Sequence, residues 1–216
     1  MFKIILCSEF LNINRKVNKN NRIHNMQKAE LQIILRLLQD KKAVNESYRK
    51  IAAEACTSVG SVHATMQDLT EKGYVIESDG KRLLRKRNTL IDRWMRAYCD
   101  GLKDRYLVMR FAFLTPEVRE RWRDITLPDT VRWGGEPAAA IIDGYLQPQK
   151  WDIYTSAGAD MLIATRSMIP NPDGEIYVYK KFWNADDTPA LVVYADLIAT
   201  DDDRCIEAAE RIKPLI

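Results

Sequence analysis

The stretch from Ser47 to Arg87, SYRKIAAEACTSVGSVHATMQDLTEKGYVIESDGKRLLRKR, constrains the fold most, because two short amphipathic segments run straight into a basic hairpin. Ile51, Ala52 and Ala55 give one apolar face to a helix from about Ser47 to Cys56. Val59, Val62, Met66 and Leu69 give another to a helix from about Ser58 to Lys72. Ser58 is placed to cap the second helix, its side-chain oxygen accepting from an otherwise unpaired backbone N–H. Gly73 ends it, since a residue without Cβ turns out of a helix at little steric cost. Tyr74, Val75 and Ile76 then read as a strand, Ser78-Asp79-Gly80 as a tight turn and Leu83-Leu84 as the returning strand. Met26 to Lys41, with Leu31, Ile34, Leu35 and Leu38 on one face, supplies a helix ahead of these. Three helices closed by a hairpin are the layout of a winged helix-turn-helix, expected over residues 26–90.

In that layout Ser58, Ser61, His63, Thr65 and Gln67 are left on the solvent side of the second amphipathic helix, the side that would enter a DNA major groove. Small polar residues at the helix start can approach phosphates, Gln67 can bond an adenine edge, and His63 can donate to either. Lys81 and Arg82 at the wing tip, followed by Arg85, Lys86 and Arg87, would pair with phosphates and supply salt-dependent affinity without reading sequence. The plainer alternative keeps the helix pair as packing and Arg85-Lys86-Arg87 as a solvated linker, and such modules also serve as protein-contact surfaces.

The rest of the composition narrows the class. At 216 residues, 46% hydrophobic and 29% charged, the chain has the make-up of an ordinary globular protein with room for two modest domains. Cys7, Cys56, Cys99 and Cys205 are far apart, and only His24 and His63 could join them, so neither a zinc site nor a disulfide frame is expected. The longest apolar runs fall well short of the about 20 residues a membrane helix needs, and a cytoplasmic protein with no membrane partner is expected. Lys plus Arg against Asp plus Glu number 5 and 1 in residues 1–25, 12 and 8 in 26–90, and 16 and 21 in 91–216. A basic front joined to a mildly acidic back suggests a nucleic-acid module fused to a part with another task. Residues 1–25, with six asparagines between Asn12 and Asn25, read as a disordered basic arm, dispensable rather than DNA-touching, with Met26 as the natural start.

Beyond the hairpin, Asn88 or Thr89 is placed to cap a bridging helix to about Tyr106. Leu107 to Leu114 is β-prone, and Pro116 to Arg123 is helical behind a Thr115 cap. Val131 and Trp133 precede Gly134-Gly135, after which Glu136 to Leu146 is helical. Trp151 to Thr155 is a strand, Gly158 to Ser167 a short helix running into an extended segment, and Ile176 to Phe182 a strand after the turn Asn171-Pro172-Asp173-Gly174. Leu191 to Ile198 is compatible with a strand or a buried helix, and Asp203 to Lys213 closes as a helix. Residues 91–216 are therefore expected to form a mixed α+β domain, and the fold class of the whole chain is α+β.

RWGGEPAAAIIDGYLQPQKWDIYT (132–155), MIPNPDGEIYVYKKFW (168–183) and PALVVYADLIATDDDRCIEAAERI (189–212) together resemble, in order and spacing, blocks of the AbiEi-type antitoxins of bacterial type IV toxin–antitoxin systems. The resemblance covers residues 26–216. It implies a two-domain antitoxin whose winged helix represses its own operon, with double-stranded operator DNA as one partner, and whose C-terminal domain counters a nucleotidyltransferase toxin. It assigns no chemistry to Gly134, Gly135, Glu136, Tyr194 or Asp196. The plain account of Gly134-Gly135 is a backbone turn requiring positive φ, with Glu136 and Pro137 favoured in the first helical turn.

Two other classes stay open on the residues alone. Glu136, Asp152, Asp173 and Glu175, with Lys180 or Lys181, loosely match the carboxylate and lysine sets of metal-dependent nucleases, although their spacing is not diagnostic and Asp173 sits in a turn where Asp serves local bonding. Trp133, Trp151, Tyr154, Tyr177, Tyr179 and Trp183 could line a pocket in a one-component regulator that senses a small molecule. The reading favoured is a DNA-binding autoregulator without catalysis, cofactor or metal. A homodimer is expected because one module reads only a short half-site.

Overall fold

The computed structural model describes residues 26–216; the arm expected over 1–25 lies outside them. Helix α1 (Lys28–Gln39) buries Ile33 and Leu37 as well as the expected Leu31, Ile34, Leu35 and Leu38. It is covered on more than one side: Gln32 donates to the Phe182 carbonyl at 3.3 Å, and the Trp94 indole N–H donates to the Leu31 carbonyl at 2.8 Å. Helix α2 (Tyr48–Glu54) starts at a Ser47 cap, and α3 (Val59–Glu71) at Ser58, whose Oγ accepts from the Ser61 N–H at 3.1 Å. Gly73, at φ +69, releases the chain from α3.

Strands β1 (Val75–Ser78) and β2 (Lys81–Leu84) pair antiparallel with Ser78 opposite Lys81. Only Asp79 and Gly80 connect them, both at positive φ (53° and 70°), the conformation a two-residue hairpin needs to match strand twist.

The bridging helix departs from expectation at both ends. Helix α4 spans Arg87–Ala97, and its N-cap is Lys86 in the left-handed region (φ 52), not Asn88 or Thr89. The Arg87 guanidinium donates to the Leu38 carbonyl at 2.7 Å, which ties the start of α4 to the end of α1. The helix does not continue to Tyr106, because a widened turn at Tyr98–Leu102 breaks at Gly101 (φ 105) and a single 3₁₀ turn, Asp104–Tyr106, follows. Arg93 of α4 pairs with Glu30 of α1 and, at 3.4 Å, with Asp68 of α3.

Strands β3 (Leu107–Phe113), β4 (Val131–Gly134), β5 (Trp151–Thr155), β6 (Met168–Pro170) and β7 (Ile176–Lys180) form one mixed sheet in the order β4-β5-β7-β3-β6. The β5/β7 pair is parallel and the other pairs are antiparallel. Helices α5 (Pro116–Glu120), α6 (Gly135–Asp143), α7 (Asp160–Ala164), α8 (Ala190–Ile198) and α9 (Asp203–Ile212) complete the α+β fold. The period-two alternation of the strands sorts the rings by face. Trp133, Trp151, Ile153 and Val178 join the core built with α6 and α9, whereas Tyr154 and Tyr179 join the core built with α1, α3 and α4. Helix α8 settles the ambiguity of Leu191 to Ile198. Leu191, Val192 and Ala195 pack into the second of these cores, Val193 and Leu197 into the first, so burial on two sides outweighs the weak helix preference of the valines.

Candidate nucleic-acid interface

Helix α3 presents most of the expected polar row outward. Ser58, His63 and Gln67 are exposed and Ser61 is half-buried. Ser58 and Ser61 bond to each other through their hydroxyls at 2.9 Å, and the Gln67 amide donates to Glu71 at 3.0 Å. Two expectations are corrected here. Thr65, placed on the solvent side by the sequence, is 6% exposed, whereas Val59, placed on the apolar face, is 45% exposed. Thr65 lies three residues after Val62 and four before Leu69, which puts it on the buried stripe, while Val59 opens the helix ahead of that stripe.

The five cations expected to meet phosphate divide into two groups. Lys81, Arg85 and Lys86 are exposed. Arg82 and Arg87 are half-buried and engaged within the chain, Arg87 on Leu38 and Arg82 on the Glu46 carbonyl at 2.9 Å and over the Tyr48 ring at 5.1 Å. No residue pattern singles out Asn45 or Tyr48, whose parts emerge only from the fold: Asn45 exchanges two hydrogen bonds with the Arg82 backbone at 2.7 and 2.8 Å.

Behind this surface, where the turn after α4 meets the sheet and α8, lies a buried polar cluster that residue spacing did not foretell. Lys103 (8% exposed) bridges Asp152 (3%) at 2.6 Å and Asp196 (2%) at 2.8 Å. Asp196 also accepts from the Tyr98 hydroxyl at 2.8 Å, the Tyr154 hydroxyl at 2.9 Å and the Gly135 N–H at 3.1 Å. Burial alone would strip charge from Lys103, but Asp196 and Asp152 outweigh it and hold the ammonium well above the usual lysine range. Burial pushes the Asp196 carboxyl upward against the pull of Lys103, and it pushes both tyrosines far up, so they remain hydroxyl donors.

The glycine pair is fitted to this cluster. Gly134 is extended (φ −120), not left-handed as expected, and a Cβ there would lie 2.3 Å from the Tyr154 ring. Gly135 does take positive φ (47°), and a Cβ on it would meet the Asp152 carboxylate at 2.7 Å. Close approach explains the first glycine, and both approach and backbone conformation explain the second.

The carboxylates considered for metal chemistry are dispersed in their bonding. Glu136 accepts from the Gln149 and Lys150 N–H groups at 2.8 and 3.3 Å and faces Arg204 at 3.4 Å, while Asp152 is taken by Lys103. Asp173 donates its N–H to the Asn171 side chain in a turn, and Glu175, Lys180 and Lys181 lie at the surface or half-buried. Among the described residues no group of three or more His, Cys, Asp or Glu is arranged to hold a metal. The six aromatic residues considered for a sensor pocket also separate. Trp133 and Trp151 border shallow cavities of about 540 and 420 Å³, Tyr154, Tyr179 and Trp183 are packed in the core, and Tyr177 is flanked by Arg110 and Lys150. Cys56, Cys99 and Cys205 are free thiols, and no helix among the described residues is long and apolar enough to cross a membrane.

A family described as "Transcriptional regulator, AbiEi antitoxin, Type IV TA system" matches residues 82–216, from the returning strand of the hairpin to the last residue. No curated protein and no solved structure matches the chain. The matched span holds the glycine pair and every member of the buried polar cluster but none of the three N-terminal helices, which precede it. With well over half its length inside that match, the chain belongs to the AbiEi antitoxin family of type IV toxin–antitoxin transcriptional regulators.

Proposed function

We propose that residues 26–90 form a winged helix-turn-helix domain that binds the operator of the protein's own operon, and that residues 91–216 form an α+β domain that counters a cognate nucleotidyltransferase toxin in the cytoplasm without catalysis. The observation that carries the DNA reading is the outward row Ser58, Ser61, His63 and Gln67 on α3, joined through Tyr48 to a hairpin whose Lys81, with Arg85 and Lys86 just after it, faces solvent. The helix would read base edges, and the cations would neutralise phosphates and release counterions. Family membership supports the antitoxin half. A homodimer would supply the second half-site.

Fluorescence anisotropy with a labelled duplex from upstream of the reading frame tests the first half. The wild type should prefer this duplex to a scrambled one. Replacing Lys81, Arg85 and Lys86 together by Gln should weaken binding and flatten the slope of log affinity against log salt by about 2.7, near 0.9 per lost phosphate contact. Equal affinity for both duplexes would reject operator recognition. Co-expression with a neighbouring nucleotidyltransferase tests the second half, since growth should be rescued by the intact chain.

A further inference from the structure

We infer that Arg82 and Tyr48 are positioning residues, which lock His63 of the reading helix to the hairpin and do not themselves bind phosphate. This rests on the DNA reading proposed above and narrows it. The basic composition of the hairpin suggested that Arg82 is one more phosphate contact, but its surroundings point elsewhere. Its backbone is clamped on both sides by the Asn45 amide at 2.7 and 2.8 Å, and its guanidinium donates to the Glu46 carbonyl at 2.9 Å. Glu46 is itself fixed by Arg36 at 3.1 Å and Lys50 at 2.9 Å.

The guanidinium carbon then lies 5.1 Å from the centre of the Tyr48 ring, within the range of a cation–π contact. Tyr48 in turn meets His63 edge-on, with ring centres 6.1 Å apart and planes at 81°. The turn before α2, strand β2, the first residue of α2 and the exposed face of α3 are thereby joined in one continuous strut. To reach a phosphate, Arg82 would have to give up both its carbonyl and its ring. To rotate away from its base, His63 would have to leave Tyr48. Specificity at the base pair that His63 reads is therefore set partly by residues that never touch DNA.

The test uses the full-length protein and the upstream duplex, with each base pair of the bound site substituted in turn. Tyr48→Leu and Arg82→Gln should lower discrimination about tenfold at the one or two base pairs that His63→Ala also affects, while the salt slope stays that of the wild type. Tyr48→Phe, which keeps the ring, should behave as wild type. Lys81→Gln serves as the phosphate control and should flatten the slope by about 0.9 with the base pattern unchanged. Tyr48→Leu added to His63→Ala should change the pattern no further, because the two act through one contact. The inference is overturned if Arg82→Gln flattens the slope as Lys81→Gln does, or if Tyr48→Leu weakens all duplexes equally. A wild type that cannot tell its own duplex from a scrambled one would instead reject the operator reading beneath it.

Discussion

In the N-terminal helices and hairpin, ion pairs such as Lys72–Asp68 and Lys50–Glu46 sit at the rim, whereas the sheet region encloses Lys103, Asp152 and Asp196 almost completely. At the rim, water screens each pair, and its loss costs little. In the interior, the same Coulomb attraction only offsets desolvation, and removing one partner leaves the others charged without a counterion. The first region can therefore exchange charges for a ligand's, while the second cannot change one without disturbing the junction between α4, the sheet and α8.

The sharpest way to break this contrast is Lys103→Met. It should cost about 3–5 kcal/mol of stability in urea unfolding, while the combined Lys81, Arg85 and Lys86 replacement should stay within about 0.5 kcal/mol of wild type. Equal losses would mean that burial is not what separates the two regions. The pH dependence follows from the raised Lys103 value. A pKa raised by folding contributes fully below the unfolded lysine value of about 10.4 and is lost as pH climbs through the folded one. The gap between wild type and Lys103→Met should thus stay level from neutral pH to about 10 and narrow only beyond it.

Gly134→Ala should come next, at about 1–3 kcal/mol, because the added methyl would meet the ring of Tyr154, whose hydroxyl donates to Asp196. Unchanged thermal stability would show that Tyr154 moves aside freely. The smallest effect tests a rim charge within the sheet region itself. Asp202 caps α9 by accepting from the Arg204 N–H at 2.8 Å, a bond that holds its carboxyl below the usual range. Asp202→Asn keeps the cap and removes the charge, so it should cost no more than about 0.5 kcal/mol after solvent screening. A lowered pKa contributes above the unfolded value and is lost as pH falls through the folded one, so this difference should vanish in acid. A loss comparable to that of Lys103→Met would place the contrast in the region of the fold rather than in burial.

Legibility follows the same line. Ser47, Ser58 and Thr115 announced helix starts, and Asp79-Gly80 announced its turn, because caps and tight turns are satisfied by atoms a few residues away. Strand β5 was read at its observed limits, Trp151–Thr155, from its own β-prone residues. What could not be read depended on distant partners. Nothing in the local pattern marks Lys103 for burial: after the break at Gly101 it meets Asp152 and Asp196, 49 and 93 positions away along the chain. Arg82 and Arg87 looked like the other cations of the basic run, yet they donate to carbonyls at Glu46 and Leu38, 36 and 49 positions away along the chain.

By itself the sequence determined the periodic elements and the hairpin, because hydrophobic spacing, capping and positive-φ turns are settled within a few residues. Tertiary structure alone decided which charges face water and which are enclosed. It also decided that Leu191 to Ile198 coils into a helix and that Gly134 must lack a side chain. The physical reason is that desolvation and close packing are properties of the assembled surroundings, and no local pattern carries them.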